Sequence, residues 1–273
     1  MTEPHWRIVI VNHRTPELAQ RAARSARAAS TGASVVVVDS ASGDNSEELI
    51  RSDGAADFLA LPTNRGYGAA LNAGTRHSEA RYLLLMNADV DLSPDCIRRF
   101  QERLEFLPGL GIVAPRLLSP DGTAQPSCRR FPTHGSLLWS RGSPVGRLRR
   151  PTPTSYRVPE PMTFTLVDVV AGACLAVRQE VWHELQGMDE RFFLYAEDTD
   201  FCRRAKQSGW LVGYDPAITV NHEWGASTRH SRRRAHKAHA ASLSLYFRKH
   251  HPQRPWANAL ASALLWCHAR LRL

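Results

Sequence analysis

Two acidic clusters carry residue types and spacings suited to chemistry. Asp89 and Asp91 form D-x-D directly after the apolar run Tyr82–Met86. Carboxylates on an exposed turn are hard oxygen ligands suited to Mg2+ or Mn2+ held jointly with substrate phosphates. The competing reading is an acidic turn before a helix that starts at Ser93–Pro94. In Tyr195-Ala196-Glu197-Asp198-Thr199-Asp200 three carboxylates crowd together. One within hydrogen-bond reach of an incoming hydroxyl can remove its proton, although acids in a helix's first turn also complement the macrodipole. His222 follows Pro216 at the end of an apolar run and is either a buried structural histidine or a third metal ligand beside the D-x-D.

Asn12 and Asp39 close the runs Arg7–Val11 and Val35–Val38. A carboxylate there can accept hydrogen bonds from a base or ribose, or serve as a turn former. Asn64-Arg65-Gly66-Tyr67-Gly68 opens a helical pattern whose amide end favours anions. No Gly-Lys-Ser/Thr follows it and the spacing is not G-x-G-x-x-G, so a helix-starting turn is the alternative.

Placing these groups requires strands whose carboxyl ends converge. Arg7–Val11 and Val35–Val38 read as buried parallel strands, with a helix between them capped by Thr15 and started by Pro16. A weaker strand at Phe58–Leu61, a helix near Ala69–His77, a strand at Tyr82–Met86 and a helix at Pro94–Leu107 follow. This alternation predicts an α/β fold, a doubly wound sheet flanked by helices, whose ligands bind beyond the strand ends. Leu166–Arg178 reads as a strand, Gln179–Gln186 as a helix, and a further helix begins near Glu197. Leu211–Tyr214 and Ile218–His222 read as two short strands. Ser119–Pro161, rich in Pro, Gly, Arg and Ser, reads as a long loop or lid. From Ser231 onward the pattern is a basic helix and then an apolar amphipathic segment.

The 273 residues are 43% hydrophobic and 22% charged, which excludes collagen-like, disordered and disulfide-framework chains. Lys and Arg number 35 against 26 Asp and Glu, a net of +9 that favours an anionic partner, with basic residues crowding Arg141–Arg157 and Arg229–Lys249. Five scattered cysteines with no C-x-x-C pair suit reduced thiols and a cytoplasmic location. No signal-peptide pattern opens the chain, and no apolar run approaches the about 18 residues of a membrane span.

Several segments in this order, IVIVNHR, VVVVDSASGDNS, NRGYGAALNAG, YLLLMNADVDL, PRLLSPDG, AGACLAVR, GMDERFFLYAEDTDFCRRAKQSGW and YDPAITVNHEWGAS, resemble family 2 glycosyltransferases. The resemblance runs from about Ile8 to Tyr246 and is strongest toward bacterial rhamnosyltransferases of cell-envelope polysaccharide synthesis. It implies a GT-A fold over residues 1–230, a nucleotide-binding half at 1–118 and an acceptor-binding half at 119–230, followed by a basic helical tail at 231–273. It further implies that Asp39 binds base and ribose, with Asn12, Asn64, Gly68 and Asn72 shaping the nucleotide pocket. Asp89 would touch the ribose and join the metal site, Asp91 and His222 would hold Mg2+ or Mn2+, Asp198 would be the general base, and Glu197 would bind the acceptor or stand in for the base. Arg129, Arg130 or Arg229 would assist the leaving group. Ser40 and His13 depart from the family's frequent Asn and Tyr.

The implied partners are a dTDP- or UDP-linked sugar, dTDP-L-rhamnose foremost, and a saccharide or polyprenyl-pyrophosphate-linked acceptor. The basic tail reads either as an inner-leaflet membrane contact or as a solvated helix face with a core-packing end. A nucleic-acid-binding protein would account for the net charge, but no recognisable reading module is present and the acids at the strand ends would repel phosphate. A non-catalytic sugar-nucleotide binder is the third class.

Overall fold

The computed structural model describes residues 5–138, 160–223 and 232–271. The basic stretch Arg141–Arg157 and Arg229 lie outside them. Strands β1 (Trp6–Asn12), β2 (Ser34–Asp39), β3 (Asp57–Ala60) and β4 (Tyr82–Asn87) alternate with helices α1 (Pro16–Ala29), α2 (Ser46–Asp53) and α3 (Tyr67–Thr75). Beyond them come β5 (Val90–Leu92), α4 (Cys96–Phe106), β6 (Leu110–Leu118), β7 (Cys128–Arg129), α5 (His134–Leu138), β8 (Thr165–Leu166) and β9 (Val169–Val170). The chain continues through β10 (Cys174–Arg178), α6 (Gln179–Glu184), α7 (Glu197–Gln207), β11 (Leu211–His222), α8 (Arg232–His250) and α9 (Pro255–Leu271).

The main sheet runs β3-β2-β1-β4-β10-β6-β11-β5, with β8 on β11. It is parallel from β3 to β4; β10 then enters antiparallel to both β4 and β6, so the far half is mixed. Strand alternation sends Ile8, Ile10, Val35, Val37, Leu84 and Met86 into one core under the alanine face of α1. Val9, Val36, Val38, Leu83 and Leu85 enter a second core on the opposite face, with Ala70 and Leu71 of α3. Burial on both faces explains why the strands read as uninterrupted apolar runs.

The strand expected at Leu166–Arg178 is three short pieces, because the chain turns at Asp168 and again at Gly172. The two strands expected near Tyr214 are one, β11, with a register break between Asp215 and Thr219. That break faces Pro115 of β6, where a missing backbone donor does least harm. Within the segment expected as a loop, β7 pairs with β9 in a small second sheet. Thr15 does not cap α1; its hydroxyl donates to Asn12 Oδ1 at 2.9 Å. A third apolar cluster joins Leu243, Tyr246 and Phe247 of α8 and Ala261 of α9 to Phe192 and Ala196, so the tail is packed on the segment that leads into α7.

Candidate active site

At the end of β1, Asn12 donates from Nδ2 to Asp39 Oδ1 at 2.7 Å and to Ser46 Oγ at 2.9 Å. The two residues are directly paired across the parallel strands, which fixes this contact. Ser42 N–H donates to Asp39 Oδ2 at 2.9 Å, leaving the carboxylate 6% exposed at the strand edge. Beside it, His13 Nδ1 and Ser40 Oγ are buried polar atoms with no hydrogen-bond partner. The resemblance drawn from the sequence expects Tyr and Asn at these two positions.

The Asn64–Gly68 turn closes against the chain before α7. Asn64 Oδ1 accepts from Gly66 N–H at 3.0 Å, and Tyr67 N–H donates to Phe193 O at 3.0 Å. Gly66 has φ +98°, and a Cβ there would lie 2.2 Å from Phe193 O, so only glycine permits this approach. A Cβ on Gly68 would lie 2.9 Å from Met188 Cβ. Asn72, expected in the nucleotide pocket, instead clamps the same segment. Its Nδ2 donates to Met188 O at 2.9 Å and Glu190 Oε1 at 3.0 Å, while its Oδ1 accepts from Met188 N–H at 2.9 Å. With its polar atoms engaged there, Asn72 acts on loop position.

The D-x-D residues separate. Asp89 precedes β5, and its Oδ1 is buried with no hydrogen-bond partner, 3.3 Å from His222 Nε2. Asp91 sits within β5 opposite Asn221, whereas His222 pairs with Val90. Side chains alternate along a strand, so Asp91 and His222 face opposite sides of the sheet. Asp91 instead meets Arg21 Nε at 2.8 Å. Of the three residues expected at the metal, Asp89 and His222 lie together, while Asp91 lies apart with Oδ2 on Arg21 and Oδ1 buried without a hydrogen-bond partner.

Gln125 holds His222 in place. Its Nε2 donates to His222 O at 2.8 Å and its Oε1 lies 2.6 Å from His222 Nδ1. Because Oε1 can only accept, Nδ1 carries the proton and the lone pair of a neutral imidazole sits on Nε2, facing Asp89. Two lone-pair atoms facing each other call for a cation between them or a second proton on the ring. This donor set fits a divalent ion completed by phosphate oxygens. Among the described residues no group of three His, Cys, Asp or Glu could hold a metal alone.

Tyr195 and Ala196 adopt consecutive left-handed conformations, φ 69° and 62°, just before α7. This turn places Glu197 and Asp198 at the helix start, each 7% exposed. Asp198 Oδ2 accepts from the Arg129 guanidinium and from Gly172 N–H at 3.0 Å; its Oδ1 accepts from Thr199 N–H at 2.6 Å and the Thr199 hydroxyl at 3.1 Å. Arg129, one of the three arginines named from the sequence, lies on this catalytic candidate. Glu197 Oε2 is buried with no partner. Burial, then the charge of Asp198, pushes the Glu197 carboxyl up to about 8.

Tyr67 and Gly172 lie between the acidic pair and the strand that leads to Asp89. Tyr67 Oη donates to Gly172 O at 2.9 Å, and Asn87 N–H donates to Ala173 O at 3.0 Å. Tyr67 is pushed well up first by burial and then by Glu197, with Asp89 and Asp198 adding to the shift. One tyrosine thus feels carboxylates from both clusters. Gln125 and Gly172 were not picked out as site residues from the sequence, and Arg129 was named only beside Arg130 and Arg229 as an aid to the leaving group. Gln125 and Arg129 lie in the stretch that reads as irregular loop.

The profile described as glycosyl transferase family 2 matches residues 7–185, and that of glycosyl transferase family group 2 matches residues 155–272. The chain belongs to glycosyl transferase family 2: it is a glycosyltransferase of the GT-A fold. It is similar to N-acetylglucosaminyl-diphospho-decaprenol L-rhamnosyltransferase of Mycobacterium tuberculosis, at 32% identity over 70% of this chain and 67% of that protein. The low-salt glycan biosynthesis hexosyltransferase Agl10 of Haloferax volcanii is 24% identical over 70% of this chain and 59% of its own length. Among solved structures, the mannosyltransferase PcManGT from Pyrobaculum calidifontis, in complex with GDP-Man and Mn2+, superposes with TM-score 0.61 at 16% identity. That match covers 99% of this chain and 76% of the other and shows the fold.

Proposed function

We propose that this glycosyltransferase moves L-rhamnose from dTDP-L-rhamnose to a hydroxyl of a saccharide carried on a polyprenyl pyrophosphate, at the cytosolic face of a membrane, with inversion at the anomeric carbon. The observation that carries the reading is Tyr67, whose hydroxyl donates to Gly172 O next to Asp198 and which feels the charges of Glu197, Asp89 and Asp198 together. The similarity to the mycobacterial rhamnosyltransferase supports the choice of donor and acceptor. In this scheme the first half of the chain holds the nucleotide, through Asp39 with Asn12 behind it, and the second half receives the acceptor.

Asp89 and His222 Nε2 would hold Mg2+ or Mn2+, which when bound neutralises charge developing on the departing diphosphate. The two carboxyls of the other pair have different tasks. Glu197, with its proton affinity raised, is protonated at neutral pH and donates a hydrogen bond that orients the acceptor. Asp198, held by Arg129, takes the acceptor proton as that oxygen attacks the anomeric carbon and the carbon–phosphate oxygen bond breaks. All four lone-pair directions of Asp198 are engaged, so the acceptor hydroxyl displaces one donor. Of these donors the Arg129 side chain is 24% exposed, whereas Thr199 is fully buried.

Incubation of the chain with dTDP-L-rhamnose, Mn2+ and a prenyl-pyrophosphate-linked N-acetylglucosamine tests the proposal. Expected is stoichiometric dTDP and a rhamnosylated lipid of inverted configuration. Transfer from a UDP-sugar alone would overturn the donor assignment, and binding without turnover would overturn catalysis.

A further inference from the structure

Four of the large apolar side chains exposed among the described residues lie on one helix, α9: Trp256 at 88%, Leu260 at 62%, Leu264 at 43% and Trp266 at 39%. Ala263 and Cys267, also exposed, fill the same face at helical spacings of three and four. The opposite side of α9 is committed to the fold, with Ala261 and Leu265 in the cluster that holds Phe192 and Ala196. No described helix is long and apolar enough to cross a membrane, so this face is one that lies on a surface.

The charges around it choose the occupant. From Trp224 to Leu273 the chain carries ten Lys and Arg and no Asp or Glu. Exposed Arg254 and Arg270 stand at the two ends of the apolar face. A second copy would bring an identical cationic patch against the first, which is repulsive in an isologous contact. An anionic bilayer offers the complementary charge and a boundary where tryptophan rings settle.

We propose that α9 docks flat on an anionic lipid surface, its Trp256–Leu260–Leu264 face entering the headgroup boundary. Its buried side touches the cluster containing Ala196, the residue before Glu197. Docking thereby turns the cluster that carries Ala196 toward the lipid, a placement whose use for a lipid-linked acceptor rests on the reading above.

Flotation of the full chain with phosphatidylcholine vesicles, with and without phosphatidylglycerol, tests this without donor or acceptor. Expected is binding to the anionic vesicles, weaker on neutral ones and weakened by salt. Trp256→Ser and Leu260→Ser should each lower partitioning about tenfold, with the far-UV circular dichroism unchanged. Brominated lipid should quench tryptophan fluorescence in the wild-type chain and less in Trp256→Phe. Absence of binding to anionic vesicles, or binding unaffected by both serine variants, would overturn the proposal. A dimer in sedimentation that these substitutions dissociate, with no vesicle binding, would assign the face to a second copy instead. Donor titration run in parallel keeps a failure here distinct from a failure of the transferase reading.

Discussion

Replacing Asp198 by Asn keeps the side chain's size and removes its charge. Four donors converge on the carboxylate: Arg129 and Gly172 N–H on one oxygen, Thr199 N–H and hydroxyl on the other. An amide presents one acceptor oxygen, so whichever way it turns, two of those donors lose their acceptor. Each buried donor left unmatched costs about 1–3 kcal/mol. Gly172 N–H or Thr199 N–H bears that cost in full, whereas Arg129 reaches solvent and the Thr199 hydroxyl can rotate. The net loss is then about 2–4 kcal/mol, roughly a 5–15 °C fall in Tm for a chain of this size. The variant still folds, so its chemistry can be read. Loss of the general base should lower kcat by about 10²–10⁴-fold. Donor affinity should be unchanged, because Asp198 sits at the acceptor end. The control is Glu197→Gln, which mimics a protonated glutamate and should keep kcat within about tenfold of wild type. Single-turnover release of the nucleoside diphosphate, with calorimetry of donor binding, reads both variants. An active Asp198→Asn beside an inactive Glu197→Gln would reverse the two roles.

Asp89→Asn and His222→Ala should abolish Mn2+-dependent donor binding, whereas Asp91→Asn, on the other face of the sheet with Arg21, should leave it intact. Gln125→Ala, which frees the His222 ring, should weaken Mn2+ affinity about 10–100-fold in a metal titration. Because the folded chain keeps a proton on Glu197 that the unfolded chain releases, the stability this contributes is full below the ordinary carboxylate range. It is lost as pH rises through about 8. Glu197→Gln lacks that loss, so its Tm should gain on wild type with rising pH across this window; parallel Tm curves would refute the shift. Gly66→Ala should cost about 2–4 kcal/mol in denaturant unfolding, since its Cβ must displace the Phe193 backbone at a positive φ.

The first four strands were legible because burial on both faces leaves plain apolar runs, and Asn12 and Asp39 fell at strand ends as expected. Strand β6 was not picked out, since Pro115 interrupts LGIVAPRLL and its tolerance depends on a register break in β11, distant in sequence. The site was readable as residue types and less so as directions. D-x-D suggested two ligands side by side, while strand alternation sends Asp91 to Arg21. Gln125 was missed, and Arg129 was named for the leaving group and not for Asp198, because each acts through one tertiary contact that no local pattern encodes. Asn72 lay inside a motif expected to shape a pocket, and its partners are Met188 and Glu190, distant in sequence.

Calorimetric titration of the wild-type chain with dTDP-L-rhamnose, UDP-glucose, UDP-galactose and GDP-mannose, each with Mn2+ and with chelator, tests the central claim most directly. The site described here predicts saturable binding of dTDP-L-rhamnose that chelation removes and that Asp89→Asn abolishes. Binding of none of the four donors, or binding indifferent to both chelator and Asp89, would contradict it.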